Sequence, residues 1–182
     1  VKVSQTDSRI VQIHVNSEKL DKLSIDQIDQ SVRRWLSLDW VPGFAINTAQ
    51  DIDPRISAFI QQGGGRFLRC STFYEDFVKT ICTVNTNWKS TVRMVSSLVD
   101  NLGYGTFPTP RLVMDCGEDF LRKVIRLGFR SKVLSETTKQ LLSDGKVDDE
   151  GNLIGPINYA GLLALRGIGP YCANHIIMLE HD

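Results

Sequence analysis

Cysteine is scarce and scattered: the 182 residues carry four, Cys70, Cys82, Cys116 and Cys172, with no C-x-x-C pair and no metal-ligand spacing. That pattern argues against a disulfide framework and a zinc ribbon, so the four are read as reduced, packed thiols of an intracellular protein. No apolar run nears the roughly 20 residues that cross a bilayer, and no membrane partner is expected. Val1 opens no basic-then-apolar signal segment. A chain that starts without Met is expected to be part of a longer one. An excess of one charge is missing too, since Lys plus Arg and Asp plus Glu both number 21. Neutrality excludes a tail that grips nucleic acid by bulk charge but leaves room for a local basic or dipolar site. Strand patterning is almost absent: Val11, Ile13 and Val15 alternating with Gln12 and His14 make the one convincing strand.

Helical periodicity is what the chain does have. Ser24 with Gln27 makes a capping box before Ile25, Ile28, Val32, Trp35 and Leu36. Asp53-Pro54 opens a short helix with Ile56, Phe59 and Ile60 inward, ended by Gly63 to Gly65. Those three glycines lack the Lys-Ser/Thr of a phosphate-binding P-loop. Thr72 and Glu75 cap the stripe Phe73, Phe77, Val78, Ile81 and Val84, and Asn87 caps Trp88, Val92, Val95, Val99 and Leu102. Phe120, Leu121, Val124, Ile125 and Leu127 mark a helix stopped at Gly128, followed by one striped with Val133, Leu134, Thr138, Leu141 and Leu142. Ser143 to Pro156 is expected as a long exposed loop whose Asp148-Asp149-Glu150 run lacks calcium-loop spacing. His14, His175 and His181 form no motif with the cysteines. The expected architecture is mainly α, with residues 1–23 part of a small N-terminal β subdomain and residues 24–182 a helical domain.

Between the last two helices stands ALRGIGPYCA, residues 164–173. Gly167 and Gly169 let the backbone bend and bare its N–H groups, and Pro170 suits the first position of the next helix. Bare amides at the positive end of a helix can hold a phosphate without Lys or Arg. A G-I-G between helices can equally be a plain tight turn.

LRGIGPYCANHIIM resembles the hairpin of the helix-hairpin-helix (HhH-GPD) superfamily of DNA base-excision glycosylases, which reads L-x-G-[VI]-G. Three further stretches are similar to that family in the expected order: RFLRCSTFYEDFVKTICTVNTNWKST, TFPTPRLV and LRKVIRLGFRSKVL. The match runs from Gln27 to the end.

The resemblance implies an enzyme that flips a damaged base from double-stranded DNA and cleaves its bond to deoxyribose. A carboxylate would stabilise the oxocarbenium-like transition state, and the family places that Asp about twenty residues beyond the Tyr171 position. Asp182 comes too soon and is read as a helix-end or loop residue, so the catalytic Asp is expected past it. Where lyase members carry a Schiff-base Lys this chain has Tyr171, which implies hydrolysis without strand cleavage, as in alkylbase-type members acting on bases such as 3-methyladenine. Tyr171 is expected to wall the pocket or merely to pack. The alternatives are an 8-oxoguanine-type enzyme and a non-catalytic DNA-binding module. Asn85 takes the place of the side chain that fills the gap left by the flipped base, or caps a helix. Phe129 and Arg130 correspond to the wedge and its neighbouring cation, with core packing the alternative for Phe129. Gly167, Ile168 and Gly169 would bind the DNA backbone, and the carbonyls of Leu163, Leu165 and Ile168 would face a sodium or potassium ion. No other cofactor is expected. A monomer follows, cytoplasmic and nucleoid-associated in a bacterium or archaeon, nuclear in a eukaryote.

Overall fold

The computed structural model describes residues 2–7, 10–16 and 21–180. Val1, His181 and Asp182 lie outside that range, so the reading of Asp182 does too. The chain divides into two compact units, Val1–Ser71 and Thr72–Asp182. The break falls well after residue 23, because three helices share the first unit with the strands.

In the first unit β1 (Lys2–Asp7) pairs antiparallel with β2 (Ile10–His14), with Val3 opposite Ile13 and Gln5 opposite Val11. The expected strand is therefore one arm of a hairpin; β1 escapes sequence reading because Lys2, Ser4, Gln5 and Thr6 leave it no apolar alternation. Helix α1 (Lys22–Trp35) starts earlier than its Ser24 box implies: Asp21 is the cap and accepts from the Ser24 N–H at 2.7 Å. Helix α2 (Gly43–Ile52) was invisible in the pattern, burying only Ala49. Helix α3 (Pro54–Gln61) is capped by Asp53 as expected, yet Ser57 is its buried residue while Ile56 and Phe59 stay exposed.

The second unit is built around α4 (Phe73–Thr83), which packs against α5 (Trp88–Asn101), α7 (Arg130–Ser143) and α9 (Pro170–Glu180). The Thr72 hydroxyl accepts from the Glu75 N–H at 3.2 Å, and Phe73, Tyr74, Phe77, Val78, Ile81 and Cys82 are buried. Each large apolar side chain removed from water in this way contributes roughly 1.5–3 kcal/mol. Asn87 caps α5 through the Ser90 N–H at 2.9 Å, but the face turned inward is Thr91, Met94 and Leu98, with Trp88 and Val92 outside. Helix α6 (Pro110–Lys123) begins at the TFPTP stretch and kinks at Gly117, φ 73° and ψ 168°. It ends at Lys123 and not at Gly128; Arg126 and Gly128, both left-handed, carry the chain round into α7. The stretch from Ser143 to Pro156 is largely exposed, as expected, but it is anchored at a few points. Val147 bridges Leu153 and is buried, the Asp148 carboxylate holds the Asn152 N–H at 2.7 Å, and the Gly151 carbonyl accepts from the Tyr74 N–H at 3.0 Å. Helix α8 (Tyr159–Leu163), capped by Asn158, then leads into the hairpin. Among the described residues no helix is long and apolar enough to cross a membrane.

Candidate functional site

The hairpin between α8 and α9 is pinned from below by Leu162, Leu165 and Ile168, all buried, spaced three apart so that their side chains fall on one side of the turn. Gly167 lies at φ +80°, and a Cβ there would stand 2.8 Å from Val133 Cγ2 of α7. Only glycine admits both that backbone and that approach. Gly169 faces the other way, since a Cβ on it would meet nothing within 4 Å. The Ile168 N–H donates to the Leu165 carbonyl at 3.1 Å, whereas those of Gly167 and Gly169 have no backbone carbonyl partner among the described residues. Pro170 occupies the first position of α9, and the helix ladder begins with the Ala173 N–H on the Gly169 carbonyl at 3.0 Å. Unspent amides at a helix start make an anion-binding corner.

Facing the hairpin is the corner from α4 to α5. Thr83 Oγ1 and Tyr171 Oη lie 3.2 Å apart, tying the end of α4 to the first turn of α9. Tyr171 is exposed and stacks on His175, centroids 6.2 Å apart and planes 14° from parallel. Asn85 is exposed at φ +46°, a conformation Asn tolerates better than most side chains. Asn87 takes the N-cap of α5, while Asn85 follows Val84, the C-cap of α4, in the left-handed conformation that commonly ends a helix, so both alternatives for it stand. Thr83, Val84, Asn85, Gly167, Gly169, Tyr171 and Cys172 together line an open cleft of about 570 Å³. A larger cavity of about 670 Å³ lies in the first unit between the strands and α1, and its charged lining includes an Arg33–Asp29 pair at 2.6 Å.

Phe129 precedes α7 and is 54% exposed, while Arg130 is 7% exposed. The Arg130 guanidinium lies 4.4 Å from the Phe129 ring centroid and donates to the carbonyls of Val84 and Leu127. It is therefore placed as an internal tie, not as the outward cation expected from the sequence. Ile168 likewise sends its side chain into the core and spends its amide inside the turn. Of the three carbonyls expected to face a cation, that of Leu165 already accepts from Ile168; those of Leu163 and Ile168 accept nothing outside the helix ladders among the described residues. Burial pushes the Cys172 thiol up, and that of Cys82 to about 12, which leaves neither as a thiolate at neutral pH. No group of three or more His, Cys, Asp or Glu suited to a metal occurs among the described residues. Sequence reading missed Thr83, Val84 and Cys172 as lining and Val133 as the buttress of Gly167. A residue's contacts across 30 or more positions leave no local mark.

A buried α4 flanked by a helix-hairpin-helix, with the α4–α5 corner set opposite the hairpin, makes a mainly α fold that a solved DNA glycosylase shares. Among solved structures the chain is similar to the crystal structure of the Clostridium acetobutylicum 8-oxoguanine glycosylase/lyase in complex with dsDNA containing cytosine opposite 8-oxoG, with a TM-score of 0.61 and 18% identity over 86% of this chain and 57% of that one. The chain thus spans little more than half the length of that relative, and the likeness is one of fold. No protein-family model and no curated protein matches it.

Proposed function

We propose that this chain is the DNA-engaging part of a repair glycosylase, which holds a duplex at the hairpin, swings a damaged purine out of the stack and hydrolyses its N-glycosidic bond. The observation that carries the reading is the convergence of residues 83–85 and 167–172 on one cleft, with the bare Gly167 and Gly169 amides on one side and the unoccupied side chain of Asn85 on the other. Amides without Cβ cover approach a phosphate closely, which lets a neutral chain position DNA without a basic stripe. Asn85 and Phe129 would enter the gap and the neighbouring base step. Tyr171 would wall the pocket, and its phenol, unlike an amine, forms no imine with an opened sugar, so the reading is hydrolysis without strand cleavage. The relative named above is a glycosylase/lyase; the Tyr171 position is where this chain is proposed to differ. The carbonyls of Leu163, Leu165 and Ile168 would hold a monovalent cation, adding positive charge beside the phosphate.

Alkylated purines such as 3-methyladenine are the first substrates to try. The likeness of fold to an 8-oxoguanine enzyme favours 8-oxoguanine as the second. The carboxylate required for water attack belongs about twenty residues past Tyr171, so excision is assayed on a chain that includes that stretch. Duplexes carrying 3-methyladenine, hypoxanthine or 8-oxoguanine are incubated with and without alkali. Breaks only after alkali are the expected outcome; spontaneous breaks trapped by borohydride overturn the role given to Tyr171. Binding is read separately by fluorescence anisotropy. Gly169→Glu, which sets a like charge where the phosphate would sit, is expected to weaken damaged and undamaged duplexes alike by about tenfold. Unchanged affinity removes the hairpin from the interface.

A further inference from the structure

Arg130 is the best-buried cation of the second unit, and its hydrogen bonds go to two main-chain oxygens rather than to a carboxylate. Nη1 donates to the Leu127 carbonyl at 3.4 Å, Nη2 donates to the Val84 carbonyl, and the guanidinium lies over the Phe129 ring. Nε is buried with no hydrogen-bond partner. A methionine of similar length would fill that space without the cost of a buried unsatisfied donor, about 1–3 kcal/mol. What the guanidinium supplies beyond packing is the tie to Val84, the residue that immediately precedes Asn85. Asn85 stands at φ +46°, exposed, with no side-chain hydrogen bond of its own among the described residues. A left-handed residue is less favourable than an extended or helical one, though less so for Asn than for most, so a neighbour's grip on the adjoining carbonyl adds to the hold on the corner.

We propose that Arg130 is a positioning residue: by gripping the Val84 carbonyl it locks the corner that presents Asn85 to the gap in the duplex, and it acts on DNA through Asn85 without a contact of its own. The proposal rests on the DNA-binding reading given above. Reaching either the orphaned base or a phosphate would require Arg130 to leave both carbonyls, stranding the Val84 oxygen beside a half-buried turn. One helical turn further on, Val133 receives Gly167, so the start of α7 braces both walls of the cleft, one through Arg130 and the other through Val133.

The test compares binding to a duplex bearing a tetrahydrofuran abasic-site analogue with binding to the same duplex undamaged, across a salt series. The proteins are the wild type, Arg130→Met, Asn85→Gly, which keeps the left-handed backbone, and the double variant. Wild type is expected to prefer the gapped duplex. Each single variant is expected to lose about three- to tenfold of that preference, and the double variant no more than either, as coupled residues behave. In Arg130→Met, affinity for undamaged duplex and the slope of log affinity against log salt should stay where they were. A slope shallower by about one in Arg130→Met would mean a lost phosphate contact and overturns the proposal. So would additive losses, or a preference that survives Arg130→Met intact. Should Arg130→Met melt too low to assay, Arg130→Lys, which keeps the charge but not the fork, is read by its preference and its coupling to Asn85→Gly, and an intact preference or additive losses overturn the proposal. A wild type with no preference defeats the functional reading and this proposal with it; a wild-type preference untouched by Arg130→Met defeats the proposal alone.

Discussion

Gly167 and Gly169 look interchangeable on paper and are opposites in space. At Gly167 a methyl group would meet Val133 at 2.8 Å on a backbone of φ +80°. Gly167→Ala is therefore expected to cost about 1–3 kcal/mol, from left-handed strain plus overpacking, read as a lower midpoint in urea with unchanged slope. At Gly169 the added methyl meets nothing, and Gly169→Ala should leave stability within about 0.5 kcal/mol. Equal losses at both positions would show that the hairpin's two walls have been assigned the wrong way round. The G-I-G spelling made a tight bend legible in the sequence; which glycine was structural and which faced open space was not, because Val133 lies more than thirty positions away. Asn85 and Asn87 divide in a comparable way. Either could cap a helix by composition; Asn87 caps the start of α5 through the Ser90 N–H, and Asn85 stands at the left-handed position just past the end of α4.

Among the helices, α4 could be read almost whole from its Thr72 cap and apolar stripe, and α5 could be read for its start but not its orientation. Its apolar residues Trp88, Val92, Val95 and Val99 outweigh the true inward row in hydrophobicity, yet Thr91, Met94 and Leu98 are the buried ones. The buried Thr91 hydroxyl explains part of this: it donates to the Cys82 carbonyl at 3.1 Å, closing the end of α4 with a polar group that periodicity counts against burial. A side-chain pair across the core separates the two faces. Leu98→Ala should destabilise by about 2–5 kcal/mol, whereas Val92→Ala, on a residue 47% exposed, should change little. If Val92→Ala proves the costlier, the helix is rotated relative to the face described. Helix α6 shows the converse failure, since the Phe-Pro-Thr-Pro stretch reads as a connection until Thr109 caps it and Pro110 becomes a first-turn residue. Its break at Gly117, with φ and ψ that only glycine takes up readily, has no periodic signature either.

Across the whole chain the most informative property is the balance of 21 basic and 21 acidic residues, legible from composition alone. Many of the charges are already engaged in ion pairs: Arg122 with Glu118, Lys79 with Glu75 at 2.6 Å and Lys123 with Asp119 at 2.8 Å within helices, and Arg111 with Asp149 at 2.7 Å and Arg166 with Glu136 at 3.1 Å between segments. Exposed pairs of this kind add little stability, but they do lower the number of cations free to replace counterions along DNA. Backbone amides, by contrast, hold a phosphate through hydrogen bonds and dipoles with no full charge. Binding carried by the hairpin should therefore depend only weakly on salt. With log affinity falling by about 0.9 per phosphate neutralised, a slope near −1 to −3 is expected between low and physiological salt. A slope of −6 or steeper would mean that lysines and arginines do the gripping, and the glycine amides would lose their place as the anchor of the interface.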